Sequence, residues 1–187
     1  MPLTEPVPRN LIHERSIVCR GFRRDDGLWD IEGHLVDTKT YPFANRHRGE
    51  IRAGEPIHEM WLRLTIDEDL LVHAAEAATE HAPYAVCPRI TPNFEQLAGL
   101  RIGPGWTRAV RQRFGGVTGC THLVELLGPI ATTAYQALAG QREKRPSDKP
   151  AKRPFFLDTC HALAADGEVV RSHWPQFYTG PEGHTGR

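Results

Sequence analysis

From Ser16 to Tyr41, β-branched and aromatic residues flank the turn signal Asp26-Gly27, a pattern that predicts a β-hairpin. Asp30, Glu32 and His34 fall on one face of its second arm, which continues to Asp37. Further on, His58, Met60, Leu62, Leu64 and Ile66 share one face of a predicted strand, opposite Glu59, Trp61, Arg63 and Thr65. The polar Asp67-Glu68-Asp69 marks a turn, and Leu70 to Thr79 is read as the returning strand, although Ala74, Ala75, Ala77 and Ala78 favour helix. After Pro92 the period changes. Phe94, Leu97 and Ala98, then Trp106, Ala109, Val110 and Phe114, recur at helical spacing. Gly115 to Gly119 interrupts the pattern, and Cys120, Leu123, Leu127, Ala131, Ala134 and Leu138 then form the stripe of a longer helix with a kink expected at Pro129.

These patterns predict an α+β fold, a small antiparallel sheet packed with helices. Residues 1–14 are expected to be a loose N-terminus, and 15–139 a single α+β domain. Residues 140–154, with six basic side chains, two acidic ones and three prolines, read as a linker or exposed loop. Phe155 to Leu163 and Val169 to Trp174, separated by Ala165-Asp166-Gly167-Glu168, read as an accessory hairpin, or a short helix and strand, packing on the core within 155–178. Residues 179–187 complete the chain as a loose tail.

Composition narrows the function classes. The chain has 187 residues, 40% hydrophobic and 25% charged, enough for one domain with additions. Its 23 basic side chains balance 23 acidic ones, so no nucleic-acid partner is expected. No membrane partner is expected either: Leu123 to Leu138 is broken by Glu125, Pro129 and Gln136, short of the roughly 18 to 20 apolar residues a span requires. The first nine residues lack the apolar core of a secretory signal, which leads to the expectation of a cytoplasmic, reducing location. Gly99 to Gly105 has neither the Lys-Ser/Thr of a phosphate-binding loop nor dinucleotide spacing, and no Gly-x-Ser-x-Gly elbow occurs.

The four cysteines, at 19, 87, 120 and 160, are scattered, which in a reducing compartment points to metal binding, catalysis or burial rather than disulfides. Cys87 stands where the sheet-like half gives way to the helical half, and Cys120 opens the long helix, where the helix dipole favours a thiolate. His58 begins a strand on its inward face. Three soft or borderline ligands at element ends can converge on one ion. Of the ten histidines, His13, His47, His81 and His184 sit in polar or Pro/Gly-rich surroundings and read as surface residues.

The stretch from Pro56 to about Ala139, with Met60-Trp61-Leu62-Arg63-Leu64-Thr65-Ile66-Asp67-Glu68 followed by Cys87 and Cys120, resembles the U-type iron–sulfur cluster assembly scaffold family. The resemblance implies a scaffold-like core, places Cys87 and Cys120 on two of that family's three cysteine ligands, and puts His58 near its aspartate. The first family cysteine has no counterpart in Glu55-Pro56-Ile57-His58, and Phe114 to Thr118 replaces the chaperone-recognition segment. Through Gly27 to His34, Gly119 to Leu123 and Asp158 to Leu163, the whole chain also resembles a bacterial family whose domain has no assigned function.

The resulting expectation is a small metalloenzyme, a metal-dependent lyase, hydrolase or oxygenase, with one transition metal, zinc or iron, held by His58, Cys87 and Cys120. Cys160 is the candidate that completes the ligand set, with His161 beside it. Glu32, His34 and His122 are candidate acid–base groups, His122 being set about 200° from Cys120 on an ideal helix and so treated as a supporting residue. Arg89 and Trp29 are assigned to binding a small-molecule substrate in a pocket closed by the N- and C-terminal hairpins, Arg89 by pairing with a carboxylate. The alternative is a non-catalytic carrier of an iron–sulfur cluster, and a homo-oligomer is compatible with either.

Overall fold

The computed structural model describes residues 3–143 and 153–181. Two strands open the chain, β1 (His13–Arg23) and β2 (Trp29–Lys39), paired antiparallel from His13 opposite Lys39 to Arg23 opposite Trp29. Gly27, at φ +86°, closes the turn between them, and Asp26 accepts a hydrogen bond from the Leu28 amide. The expected hairpin is therefore present, and its first arm begins within the residues expected to be loose. The short strands β3 (Phe43–Asn45) and β4 (Gly49–Ile51) pair with each other, and β5 (His58–Ile66) returns to β2.

Val72–His81 is a strand, β6, despite its alanines, because pairing with β5 overrides their helical preference. The four-stranded antiparallel sheet thus has the order β1-β2-β5-β6. Its inner face carries Ile31 and Leu35 from β2 and Met60, Leu62, Leu64 and Ile66 from β5, all buried.

Beyond β6, Cys87–Leu97 winds as a 3-10 helix rather than an α-helix, in keeping with Pro88 and Pro92, which supply no backbone N–H. It is followed by α1 (Trp106–Phe114) and α2 (Thr121–Glu143). Phe94 stacks on Phe114 at 4.8 Å, and the Trp106 indole donates to the Leu127 carbonyl. α2 runs unbroken through Pro129 and lays Leu123, Leu126, Leu127, Ile130, Ala134 and Leu138 on the sheet. Gly33 makes this contact possible: a Cβ there would stand 2.7 Å from Ile130 Cδ1.

The chain divides into two compact units, Met1–Lys144 and Arg145–Arg187. Most of the basic stretch expected as a linker, 144–152, lies outside the described residues, as do 182–187 of the tail. Between 155 and 178 the second unit has helical turns, including the α-helix α3 (Glu168–His173), and no described strand. Its turn is built differently from a hairpin's: Asp158, at φ +65°, accepts the Ala165 amide and so folds the segment into a compact loop. No helix among the described residues is long and apolar enough to cross a membrane.

Candidate functional site

Strand alternation puts Asp37 on the inner face, in register with Ile31 and Leu35, where it is 1% exposed. A carboxylate taken out of water requires partners. Arg15, opposite it on β1, supplies two: Nε to Oδ1 and Nη2 to Oδ2, both at 2.7 Å. His13 Nε2 lies 3.2 Å from Oδ1, and His58, opposite Asp37 on β5, donates from Nδ1 to Oδ2 at 3.0 Å. Burial opposes ionisation of Asp37, but the Arg15 guanidinium and His58 outweigh it and hold the carboxyl below its ordinary range. Arg15 also pairs with Glu125 of α2, tying strand to helix.

Because the ionised carboxylate can only accept, His58 must carry its proton on Nδ1 when neutral, leaving Nε2 with a free lone pair. His122, on the first turn of α2, stacks on His58 with ring centroids 3.8 Å apart and sets Nε2 3.8 Å from Asp37 Oδ2. Burial, reinforced by His122, lowers the pKa of His58; burial, reinforced by Arg15, lowers that of His122. Both rings are therefore neutral near pH 7, the form in which imidazole binds metals.

Cys120 stands immediately before α2 and its carbonyl accepts the Val124 amide, the position of a helix cap. Its Sγ is 4.0 Å from His122 Nδ1 and 3.9 Å from Met60 Sδ. The expectation that His122 would face away from Cys120 fails for this reason: Cys120 has not yet entered the helix, so helical angles do not relate the two.

His58, Cys120 and His122 line a pocket of about 440 Å³. Met60 of β5, Val117 and Gly119 also line it, and the segment after β6 supplies Tyr84, Val86, Cys87, Arg89 and Ile90. His58, Cys87 and Cys120 of the expected triad all line this pocket, as does the exposed Arg89, but their donor atoms do not lie within 4.8 Å of one another. The N-terminal hairpin does not line the pocket; it contributes Asp37 and Arg15 behind His58.

Other expected site residues lie elsewhere. Glu32 and His34 alternate out of register with Asp37 and sit on the outer face. There Glu32 pairs with Arg63, while His34 stacks on Trp61 and contacts Glu59. Trp29 is 8% exposed in the core, on the inner face. Cys160 is exposed in the second unit, at the start of a turn of 3-10 helix.

Among the described residues two groups place possible metal-ligating atoms within 4.8 Å of one another: Asp37, His58 and His122, and Glu59, Glu80 and His81 on β5 and β6. Asp37 is already the acceptor of Arg15, so its place in the first group is to orient His58 rather than to ligate. Asp37, Arg15 and His13 were the residues missed by reading the sequence for ligands. The signal was available: in Ile31-x-Gly33-x-Leu35-x-Asp37 an aspartate continues the inward-facing positions of a strand. His13 and His81, read as surface residues, are engaged by Asp37 and Glu59 respectively.

A family model described as a protein of unknown function (DUF2889) matches residues 13–136. That interval includes every residue lining the pocket together with His13, Arg15 and Asp37, and excludes Cys160. No curated protein and no solved structure matches the chain.

Proposed function

The chain belongs to this family of unknown function, and we propose from its pocket that it is a small metalloenzyme in which His58, His122 and Cys120 hold one zinc or iron ion. The observation that carries the reading is the stacked pair His58 and His122, anchored by buried Asp37, with the Cys120 thiol 4.0 Å from His122. Two imidazoles and a thiolate are a borderline-soft donor set that suits either metal. Donors on one tetrahedral zinc lie about 3.5 Å apart; Cys120 Sγ is 4.0 Å from His122 Nδ1 but is not within 4.8 Å of donor atoms of both imidazoles, so the thiol has to close on the ion when it binds. Asp37 fixes the tautomer of His58, as carboxylates beside metal-bound histidines do. Cys87 is the candidate for a fourth ligand. If it remains free, the open position takes water or substrate, and the ion polarises a carbonyl or lowers the pKa of bound water. This chemistry fits a lyase or hydrolase with zinc and an oxygenase with iron, acting on a small organic molecule in the remaining pocket.

Cobalt titration of chelator-treated protein tests the ligand set. A thiolate-to-cobalt charge-transfer band is expected, lost in Cys120→Ser where Cys87 stays free and weakened there where Cys87 is the fourth ligand, with affinity reduced in His58→Ala and His122→Ala. The same band in Cys120→Ser would remove Cys120 from the set. A band of several thiolates with acid-labile sulfide would favour an iron–sulfur carrier instead.

A second reading has one specific support. Cys120 Sγ lies 4.0 Å from His122 Nδ1, and His122 Nε2 lies 3.8 Å from Asp37 Oδ2, the order of a thiol nucleophile, its base and an orienting carboxylate. That reading expects rapid alkylation of Cys120 by iodoacetamide in metal-free protein, slowed in His122→Gln.

A further inference from the structure

The lining of the same pocket carries a cation without a partner among the described residues. Arg89 is exposed, and its guanidinium makes no hydrogen bond or ion pair with any described residue. No aspartate or glutamate among the described residues lines the pocket. The start of α2, from Gly119 to Thr121, adds the positive end of a long helix dipole to the wall. The rest of the lining is largely apolar, including Met60, Pro83, Val86, Ile90 and Val117. A lone, unpaired guanidinium beside an apolar cavity of this size matches a ligand that is apolar for most of its length and anionic at one end. The planar fork of arginine selects a carboxylate, which it can hold through two parallel hydrogen bonds.

We propose that the pocket takes a small apolar monocarboxylate, its carboxylate paired with Arg89 and its body lying along Met60, Val86 and Ile90 toward His58, His122 and Cys120. This rests on the reading of the pocket as the functional site, and it assigns the substrate class that the metal ligands leave open. One free cation in the lining specifies one carboxylate, and the apolar wall disfavours a second charge or a sugar-like body.

Binding of benzoate and of its neutral isostere benzamide, by titration calorimetry on the full chain, tests the assignment. The measurement is made on chelator-treated and zinc-loaded protein, for the wild type, Arg89→Met and Arg89→Lys. Benzoate is expected to bind at least tenfold more tightly than benzamide, with the preference lost in Arg89→Met and partly kept in Arg89→Lys. Arg89 is exposed, so an unchanged melting temperature in both variants is expected and shows that folding is not the cause. Equal binding of the two probes by the wild type, or an intact benzoate preference in Arg89→Met, overturns the assignment. A preference that arises only with zinc and ignores Arg89 places the carboxylate on the metal: it overturns the anchor and supports the metal site. An Arg89-dependent preference in protein that binds no metal upholds the anchor and sinks the metal reading.

Discussion

On the inner face of the sheet Asp37, 1% exposed, binds His58 and Arg15; on the outer face Glu59, 18% exposed, lies between His34 and His81 at 3.1 and 2.9 Å. Both are carboxylates held against histidines, the inner one with a bidentate arginine in addition. The inner group has α2 packed over its strands, a second histidine and a thiol supplied by the start of that helix, and a pocket in front of it. The outer group has a tryptophan stacked on His34 and an arginine paired across the strands. The difference lies in the second element: α2 covers the inner group and adds donors to it, whereas Glu59, Glu80 and His81 outside draw on the sheet alone. The outer pairs read most simply as cross-strand contacts.

The largest expected effect breaks the inner anchor. Asp37→Ala leaves Arg15 and His58 without their acceptor, and urea unfolding is expected to show a loss of about 3 kcal/mol, the lower end for a broken buried ion pair because Arg15 is about a third exposed. Glu59→Ala, the matching change outside, is expected to cost less than about 1 kcal/mol. Comparable losses in the two variants would erase the distinction between the faces.

The covering helix is tested next. Gly33→Ala forces a methyl group against Ile130 and is expected to destabilise the protein by about 1–3 kcal/mol. A neutral result would mean that α2 does not press on the sheet at this point.

Acidity distinguishes the inner histidines further. The folded pKa values of His58 and His122 lie below the ordinary value, by burial first. As pH falls below about 7 the unfolded chain takes up protons that the folded chain refuses, so stability declines. Melting temperatures of metal-free protein are expected to fall between about pH 7.5 and pH 5.5, and to fall less in a His58→Gln, His122→Gln double variant. Asp37 has the same sign in a lower window: its contribution, present above the unfolded carboxyl pKa of about 3.9, is lost as pH drops through the depressed folded value. The smallest effect belongs outside. Glu32→Gln and His34→Ala are each expected to change stability by less than about 1 kcal/mol and to leave metal content unchanged.

Much of the sheet was legible because alternation is local: the register of β2 and β5 follows from residues two apart, and β6 from its place after Asp67. His58, Cys87 and Cys120 were singled out because they stand at element ends, and all three line the one pocket. The side of the sheet was not. Glu32 and His34 have the chemistry of a site but the parity of the outer face, and parity matters only once α2 is known to cover the other side. Arg15 could not be connected to Asp37 without the strand pairing, and His122 could not be placed beside Cys120 without knowing where α2 begins. The segment after Pro154 misled because alternating apolar residues there are organised by the Asp158 turn rather than by strand pairing.

The most direct test is the metal content of protein purified anaerobically without an affinity tag, compared with His58→Ala and Cys120→Ser. One zinc or iron per wild-type chain, lost in both variants, is the expected result. A full equivalent retained in both, or none in the wild type, would contradict a metal centre in this pocket.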